Sequence, residues 1–60
     1  MAYTVYWKEL PGKRVIRIED YEYRDEAIAQ ADVAEMAGPR PVEITVIDHR
    51  GQQHFIKVVG

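Results

Sequence analysis

The sequence predicts an α+β fold, ββαββ, in which a four-stranded, mainly antiparallel sheet carries one helix on one face. Two stretches rich in β-branched and aromatic residues precede an alanine-rich segment, and two further β-rich stretches follow it. The alanine-rich segment is the one whose composition and ends suit a helix. With 60 residues and no cysteine, the chain is predicted to fold as a single domain, residues 1–60, without disulfides.

The first two strands are predicted to form a hairpin. Residues 3–9 and 14–20 are rich in β-branched and aromatic side chains, and a Pro-Gly turn joins them. Pairing across this turn places large apolar side chains opposite each other on one face, as cross-strand packing requires. The predicted pairs are Trp7 with Ile16, Val5 with Ile18, Tyr6 with Arg17, Lys8 with Val15, and Glu9 with Arg14.

The helix is predicted over residues 24–38. Asp25 and Glu26 place negative charge at its amino-terminal end, which the helix dipole favours. Gly38 followed by Pro39 is a typical stop signal, because glycine adopts the left-handed cap and proline cannot continue the helix. The alanines between these ends have the highest helix propensity of any residue.

Small residues recur on one narrow stripe of this helix. The stripe consists of Ala27, Ala31, Ala34 and Gly38. If it faces the sheet, the helix can lie close to the large residues of the strands, and Val33 and Met36 are then partly exposed. In the alternative rotation, Val33 and Met36 belong to the core, and the periodicity leaves both rotations open.

The second pair of strands is predicted at residues 42–48 and 52–59, around a turn that contains a glycine. A two-residue loop would set Ile44 against Phe55, whereas a three-residue loop with a left-handed glycine would set Ile44 against Ile56. We choose the three-residue loop because it pairs apolar residues on one face of the strand and Glu43 with Lys57 on the other. Glycine also suits a turn that is followed by a bulge. The first and third strands are then expected in the middle of an antiparallel sheet.

The face of the sheet opposite the helix is the predicted binding surface. One helix covers one face, so the other face is expected to keep exposed apolar side chains, which often mark an interface. The predicted interface residues are Tyr6, Arg17, Ile47, Phe55 and Lys57 on this face, with Val33 and Met36 at the side of the helix as a second contact. The residues predicted to face the helix from the outer strands are Ile16, Ile18, Ile56 and Val58. The expected partner is another protein or a second copy in a homodimer.

A second hypothesis assigns the same face to single-stranded nucleic acid. Tyr6 and Phe55 could stack on bases, and three basic residues could bind phosphates. These basic residues are Lys8, Arg17 and Lys57. The net charge of −2 opposes this hypothesis, because non-specific nucleic-acid binding needs a positive field.

The composition excludes several kinds of chemistry. The chain has no cysteine and no serine, so a Ser or Cys nucleophile is excluded. It has no glycine-rich phosphate loop, and the spacing of Asp48, His49 and His54 matches no zinc pattern. We therefore predict a protein that is not an enzyme and uses no metal or cofactor. No apolar run approaches the about 20 residues of a membrane helix, so we expect a cytoplasmic protein with no membrane partner. Since no catalytic constellation is found, we also expect no small-molecule substrate.

A strand hairpin followed by a short helical motif gives the chain a resemblance to known domains. The motif is Tyr3-x-Val5 in the first strand, then Asp25-Glu26-Ala27-Ile28-x-x-Ala31 in the helix. It resembles the HicB-type domain of bacterial antitoxins and similar small bacterial and phage ββαββ domains, although the Pro-Asp-Leu-Pro-Gly segment typical of HicB domains is missing. The resemblance implies protein–protein binding rather than catalysis. A small cysteine-free chain of this kind is expected to be a phage or mobile-element accessory or inhibitor protein.

Overall fold

The computed structural model describes residues 2–35 and 38–60, and within them the chain forms four strands and one helix. The order is β1 (Tyr3–Glu9), β2 (Arg14–Tyr21), α1 (Arg24–Asp32), β3 (Val42–Asp48) and β4 (Gln53–Val59). The strands form one antiparallel sheet in the spatial order β2-β1-β3-β4, and α1 packs on one face of it. The predicted α+β class, the ββαββ order and the central position of the first and third strands are confirmed.

The alanine stripe of α1 packs on the sheet. Ala27 and Ala31 are fully buried, whereas Val33 at the carboxyl-terminal end is exposed. The rotation that turns the small residues toward the strands is therefore confirmed, and the rotation that buries Val33 is wrong. Met36, the other residue that the two rotations treat differently, lies outside the described residues.

The helix is shorter than predicted, because it ends at Asp32 and not at the glycine stop. Val33 has φ −85° and ψ −1°, and the Ala34 amide donates to the Ala31 carbonyl at 3.3 Å, so the last turn tightens as the chain leaves the helix. The Lys57 ammonium donates to the Asp32 carbonyl and places positive charge where the helix dipole favours it. Within the described residues, no helix has the length and apolarity needed to cross a membrane.

β2 contains a one-residue bulge that changes its register. Next to the turn, Lys8 pairs with Val15 as predicted. The register shifts between Trp7 and Lys8, so Trp7 pairs with Arg17 and not with Ile16, which becomes the extra residue of the bulge. Because side chains alternate between faces, this shift by one residue exchanges the two faces of the rest of β2.

β4 contains a bulge at the corresponding place. Gly51 has a φ of 83°, and the turn hydrogen bonds close a three-residue loop, so the predicted loop is confirmed. Ile47 pairs with Gln53 in the register that this loop sets, but the register then shifts, and Val46 pairs with Phe55. The predicted pairs in the rest of β4 are therefore wrong. Ile44 pairs with Lys57 instead of Ile56, and Val42 pairs with Val59 instead of Val58.

The two bulges decide which side chains face the helix. The core beneath α1, among the described residues, consists of Val5, Trp7, Ala27, Ala31, Val42, Ile44 and Val46. Tyr21, Phe55 and Val59 pack at its margin. We call the opposite side of the sheet the open face. It consists of Thr4, Tyr6, Lys8, Val15, Ile18, Asp20, Glu43, Thr45, Ile47, Gln53, Ile56 and Val58.

Candidate protein interface

The open face is arranged as rows that run across the sheet, because the three pairing registers align side chains of all strands. The rows, each written from β2 to β4, are Asp20-Thr4-Ile47-Gln53, Ile18-Tyr6-Thr45-Ile56 and Val15-Lys8-Glu43-Val58. Directly paired side chains on neighbouring strands have Cβ atoms roughly 4.5–5.5 Å apart. Each row therefore places four side chains next to one another across the sheet.

Two of these rows are apolar at both ends. Ile18 and Ile56, on the two outer strands, are exposed, and Tyr6 lies half-buried between them. Val15 and Val58 close the adjacent row in the same way and are also exposed. The exposed apolar side chains thus form two pairs, one at each margin of the open face, and exposed apolar groups of this kind can mark a surface that contacts another molecule.

The centre of the open face holds two buried polar side chains. Glu43 and Thr45, both on β3, expose only 9% and 3% of their surface. Among the described residues, neither Glu43 Oε2 nor the Thr45 hydroxyl has a hydrogen-bond partner. The Lys13 ammonium lies 3.8 Å from Glu43 Oε2, an ion-pair distance that is too long for a hydrogen bond. Buried polar groups in native proteins are nearly always paired, so these two side chains are the polar groups of the open face with the least complete hydrogen bonding. Both atoms have almost no accessible surface, so neighbouring side chains must move before a second molecule can bond to them.

Charges on the open face are nearly balanced. Lys8 pairs directly across from Glu43, and its ammonium lies 5.6 Å from the centre of the Tyr6 ring. At the corner of the face, the Thr4 hydroxyl donates to Asp20 at 2.8 Å. The rows thus carry one ammonium and two carboxylates, a distribution without the positive field that phosphates require.

Arg17, predicted on the uncovered face, lies on the helix side of β2. Its guanidinium stacks 4.6 Å from the Trp7 ring and donates to Glu19 at 2.6 Å, and the Tyr21 hydroxyl donates to the same carboxylate at 2.7 Å. The bond from Arg17, followed by that from Tyr21, holds the pKa of Glu19 below its ordinary value. The Glu19 carboxylate in turn raises the pKa of the Tyr21 hydroxyl. Arg17 and Glu19 also line a groove of about 250 Å³, and the predicted contact residue Val33 lies at the same groove.

Phe55 and Lys57, also predicted on the uncovered face, lie on the helix side as well. Phe55 is half-buried and packs against the core. The Lys57 ammonium binds the Asp32 carbonyl and lies 3.9 Å from the Asp32 carboxylate. The predicted placement is wrong because the bulge in β4 turns each following residue to the other face. Tyr6 and Ile47 lie on the open face, as predicted.

Asp48 organises the turn between β3 and β4. One carboxylate oxygen accepts from the amides of Arg50 and Gln52, each at 2.9 Å, and the other lies 2.8 Å from His54 Nε2. The bond with His54, followed by the Gln52 amide, lowers the pKa of Asp48 from its ordinary value of 3.8 to about 2. Within residues 2–35 and 38–60, no group of three or more His, Cys, Asp or Glu side chains is arranged to hold a metal ion.

Sequence reasoning missed three apolar residues of the open face. Ile18, Ile56 and Val58 were expected beneath the helix, and the bulges place them on the other side. In β2 a signal existed, because Val15 and Ile16 are consecutive apolar residues and so interrupt the alternation, as a bulge does. In β4 consecutive apolar residues occur twice, at Phe55-Ile56 and at Val58-Val59, so the pattern does not locate the bulge.

Comparison of the chain with protein-family models, with curated proteins and with solved structures finds no match in any of the three. The resemblance to HicB-type domains therefore stays a prediction. The functional conclusion depends on the geometry of the open face.

Proposed function

We propose that this chain is a non-enzymatic protein-interaction module whose open face binds a protein. The observation that supports this is a pair of buried polar atoms, without hydrogen-bond partners in the described residues, set between exposed apolar side chains. A sheet face that meets only water is polar nearly throughout. A protein surface could cover Ile18 and Ile56, and movement of the side chains that now enclose Glu43 Oε2 and the Thr45 hydroxyl would let it form hydrogen bonds with both. Apolar contact combined with a few polar bonds is the usual composition of a protein interface.

The nucleic-acid hypothesis loses most of the residues on which it depends. Of its two aromatic side chains, Tyr6 lies on the open face, but Phe55 packs against the core. Of its three basic residues, Lys8 lies on the open face, whereas Arg17 stacks on Trp7 and Lys57 contacts α1. One ring and one ammonium beside two carboxylates do not make a phosphate-binding platform. The open face therefore suits a protein better than a nucleic acid.

A second contact at the end of the helix stays a prediction. Val33 is exposed there, beside the groove between β2 and α1, and Met36 lies outside the described residues. The cytoplasmic location and the role as a phage or mobile-element accessory protein also stay predictions.

A photoreactive residue on the open face tests the proposal. Tyr6 would be replaced by p-benzoylphenylalanine, the chain irradiated in an extract of the cells that express it, and the adducts identified by mass spectrometry. We expect a protein adduct from this position, and a far lower yield when the same residue replaces Ala29, which is exposed on α1.

Two second-site variants show whether the adduct forms through the open face. Ile18→Glu should abolish it, because a charge then lies within the apolar row. Ile16→Glu should leave it intact, because Ile16 is exposed on the same strand but borders the groove on the helix side. Adducts with nucleic acid alone, or equal yields from positions 6 and 29, would contradict the proposal.

A further inference from the structure

We infer that the protein bound by the open face is a second copy of this chain, related by a two-fold axis that runs parallel to the strands between β1 and β3. This inference rests on the proposed function, because it names the occupant of the same face. In this arrangement, β1 of one copy lies over β3 of the other, and β2 lies over β4. Each row of one copy therefore faces the same row of the other copy in reverse order.

This axis matches the side chains of the open face with chemical complements. The pairs across the interface are Ile18 with Ile56, Val15 with Val58, Tyr6 with Thr45, Lys8 with Glu43, and Asp20 with Gln53, each occurring twice. Two of these pairs are apolar, and three join a hydrogen-bond donor to an acceptor. The remaining pair is Thr4 with Ile47, and the Thr4 hydroxyl already donates to Asp20 in its own chain at 2.8 Å.

The same axis provides a partner for each of the two buried polar atoms. The Thr45 hydroxyl of one copy meets the phenolic hydroxyl of Tyr6 from the other copy. Glu43 Oε2 meets the ammonium of Lys8 from the other copy, which in the single chain lies over the Tyr6 ring. Both contacts require the side chains that enclose Glu43 Oε2 and the Thr45 hydroxyl in the single chain to move aside when the copies pair. Within the described part of its own chain, neither atom has a hydrogen-bond partner. A self-complementary surface must carry each group and its complement on opposite sides of the axis, and Lys8 paired across from Glu43 meets this condition.

The size of the face fits a pair that forms at moderate concentration. Four strands about 4.8 Å apart, with seven residues that rise about 3.3 Å each, give a footprint of roughly 450 Å² per copy. Side-chain relief enlarges this footprint, so two copies bury about 1,000 Å² together, which is the lower limit for a specific interface. Interfaces near this limit are usually weak or transient, so the pair is expected to dissociate on dilution.

The small size of the chain favours an occupant that is always present. With 60 residues and no cysteine, it has a small core and no disulfide to support it. Chains of this size commonly gain the missing stability by oligomerisation. A second copy is present wherever the chain is made.

Sedimentation velocity with complementary variants tests the inference. Ile18→Glu and Ile56→Lys each set a charge against an isoleucine in a pair of identical copies, so each variant alone should be monomeric where the wild type is dimeric. Mixed one to one, the two variants should form a heterodimer, because the new carboxylate then faces the new ammonium and the other contact keeps both isoleucines. Both variants should fold, since Ile18 and Ile56 expose 56% and 49% of their surface in the single chain.

Ile16→Glu is the matched control for these variants. Ile16 exposes 41% of its surface on the same strand but borders the groove on the helix side, so this variant should dimerise like the wild type. A wild type that stays monomeric up to about 500 µM overturns the self-pairing, and a position-6 adduct with another protein would then leave the proposed function standing. Failure of the mixed variants to associate overturns the two-fold axis. Dimerisation abolished by Ile16→Glu and kept in Ile18→Glu overturns both the inference and the open face as the interface.

Discussion

Asp48 closes the turn between β3 and β4 with three hydrogen bonds, and this makes the stability of the fold depend on pH. His54 first, and then the Gln52 amide, lower the pKa of Asp48 from 3.8 to about 2 in the folded chain. Folding therefore favours the ionised carboxylate. Its stabilising contribution is complete above about pH 5 and is lost as the pH falls from about 4 to about 2.

We expect Asp48→Asn to lower the melting temperature at about pH 7 and to converge with the wild type toward about pH 2. Asparagine keeps an oxygen for the Arg50 and Gln52 amides but has no carboxylate to hydrogen-bond with His54 Nε2. Thermal melts followed by circular dichroism over this range measure the difference. The melting temperature of Glu22→Gln, which removes an exposed carboxylate, should change with pH in parallel with that of the wild type. If the melting temperature of Asp48→Asn also ran parallel to that of the wild type, the hydrogen bonds of Asp48 would contribute nothing to stability.

At the scale of elements, the packing of α1 depends on small side chains. We expect Ala31→Leu to lower the free energy of unfolding by about 1–3 kcal/mol, because Ala31 is fully buried between helix and sheet and the added carbons have no space. Ala29→Leu is the matched control, since Ala29 is exposed on the same helix and leucine has nearly the helix propensity of alanine. Its effect should be below about 0.5 kcal/mol in urea unfolding. A loss at Ala29 as large as the loss at Ala31 would contradict the close packing of Ala31 against the sheet.

The type and order of the elements could be predicted because each carries a strong local signal. Strand β3 alternates cleanly, the alanine segment is helix-forming, and Gly51 marks its turn. The end of α1 could not be placed, because the strong glycine stop lies beyond the tightening at Val33, where the helix already ends. A stop signal limits where a helix can reach, and it does not ensure that the helix extends so far.

The candidate surface could be predicted only in part, for the same structural reason. Tyr6 and Ile47 were placed correctly because they lie on the central strands, whose mutual register runs without a shift. Arg17, Phe55 and Lys57 were placed on the wrong face because they lie on the outer strands, after a bulge. One extra residue reverses every side chain that follows, and an alternating pattern cannot reveal it when both faces are apolar.

At the scale of the whole molecule, the proposed pairing of two copies would make folding depend on protein concentration. We expect the melting temperature of the wild type to rise by about 5 °C when the concentration increases from about 5 to about 500 µM, because mass action then favours the folded pair. Differential scanning calorimetry measures the shift. Ile18→Glu should melt at one temperature throughout this range, and Ile16→Glu should behave like the wild type. A wild-type melting temperature that does not change with protein concentration would contradict the pairing.

The bulges have a consequence for how this sheet can grow. Unpaired backbone groups along the outermost strand of a sheet are a template on which further strands add, which is how fibrils elongate. Here β2 and β4 form the two margins, and each is interrupted by an extra residue that breaks the ladder and increases the local twist. Another chain cannot align along the full length of either margin. The open face can therefore carry exposed apolar side chains while further strands are hindered from adding to β2 or β4. We expect that the chain does not elongate into amyloid fibrils through these outer strands.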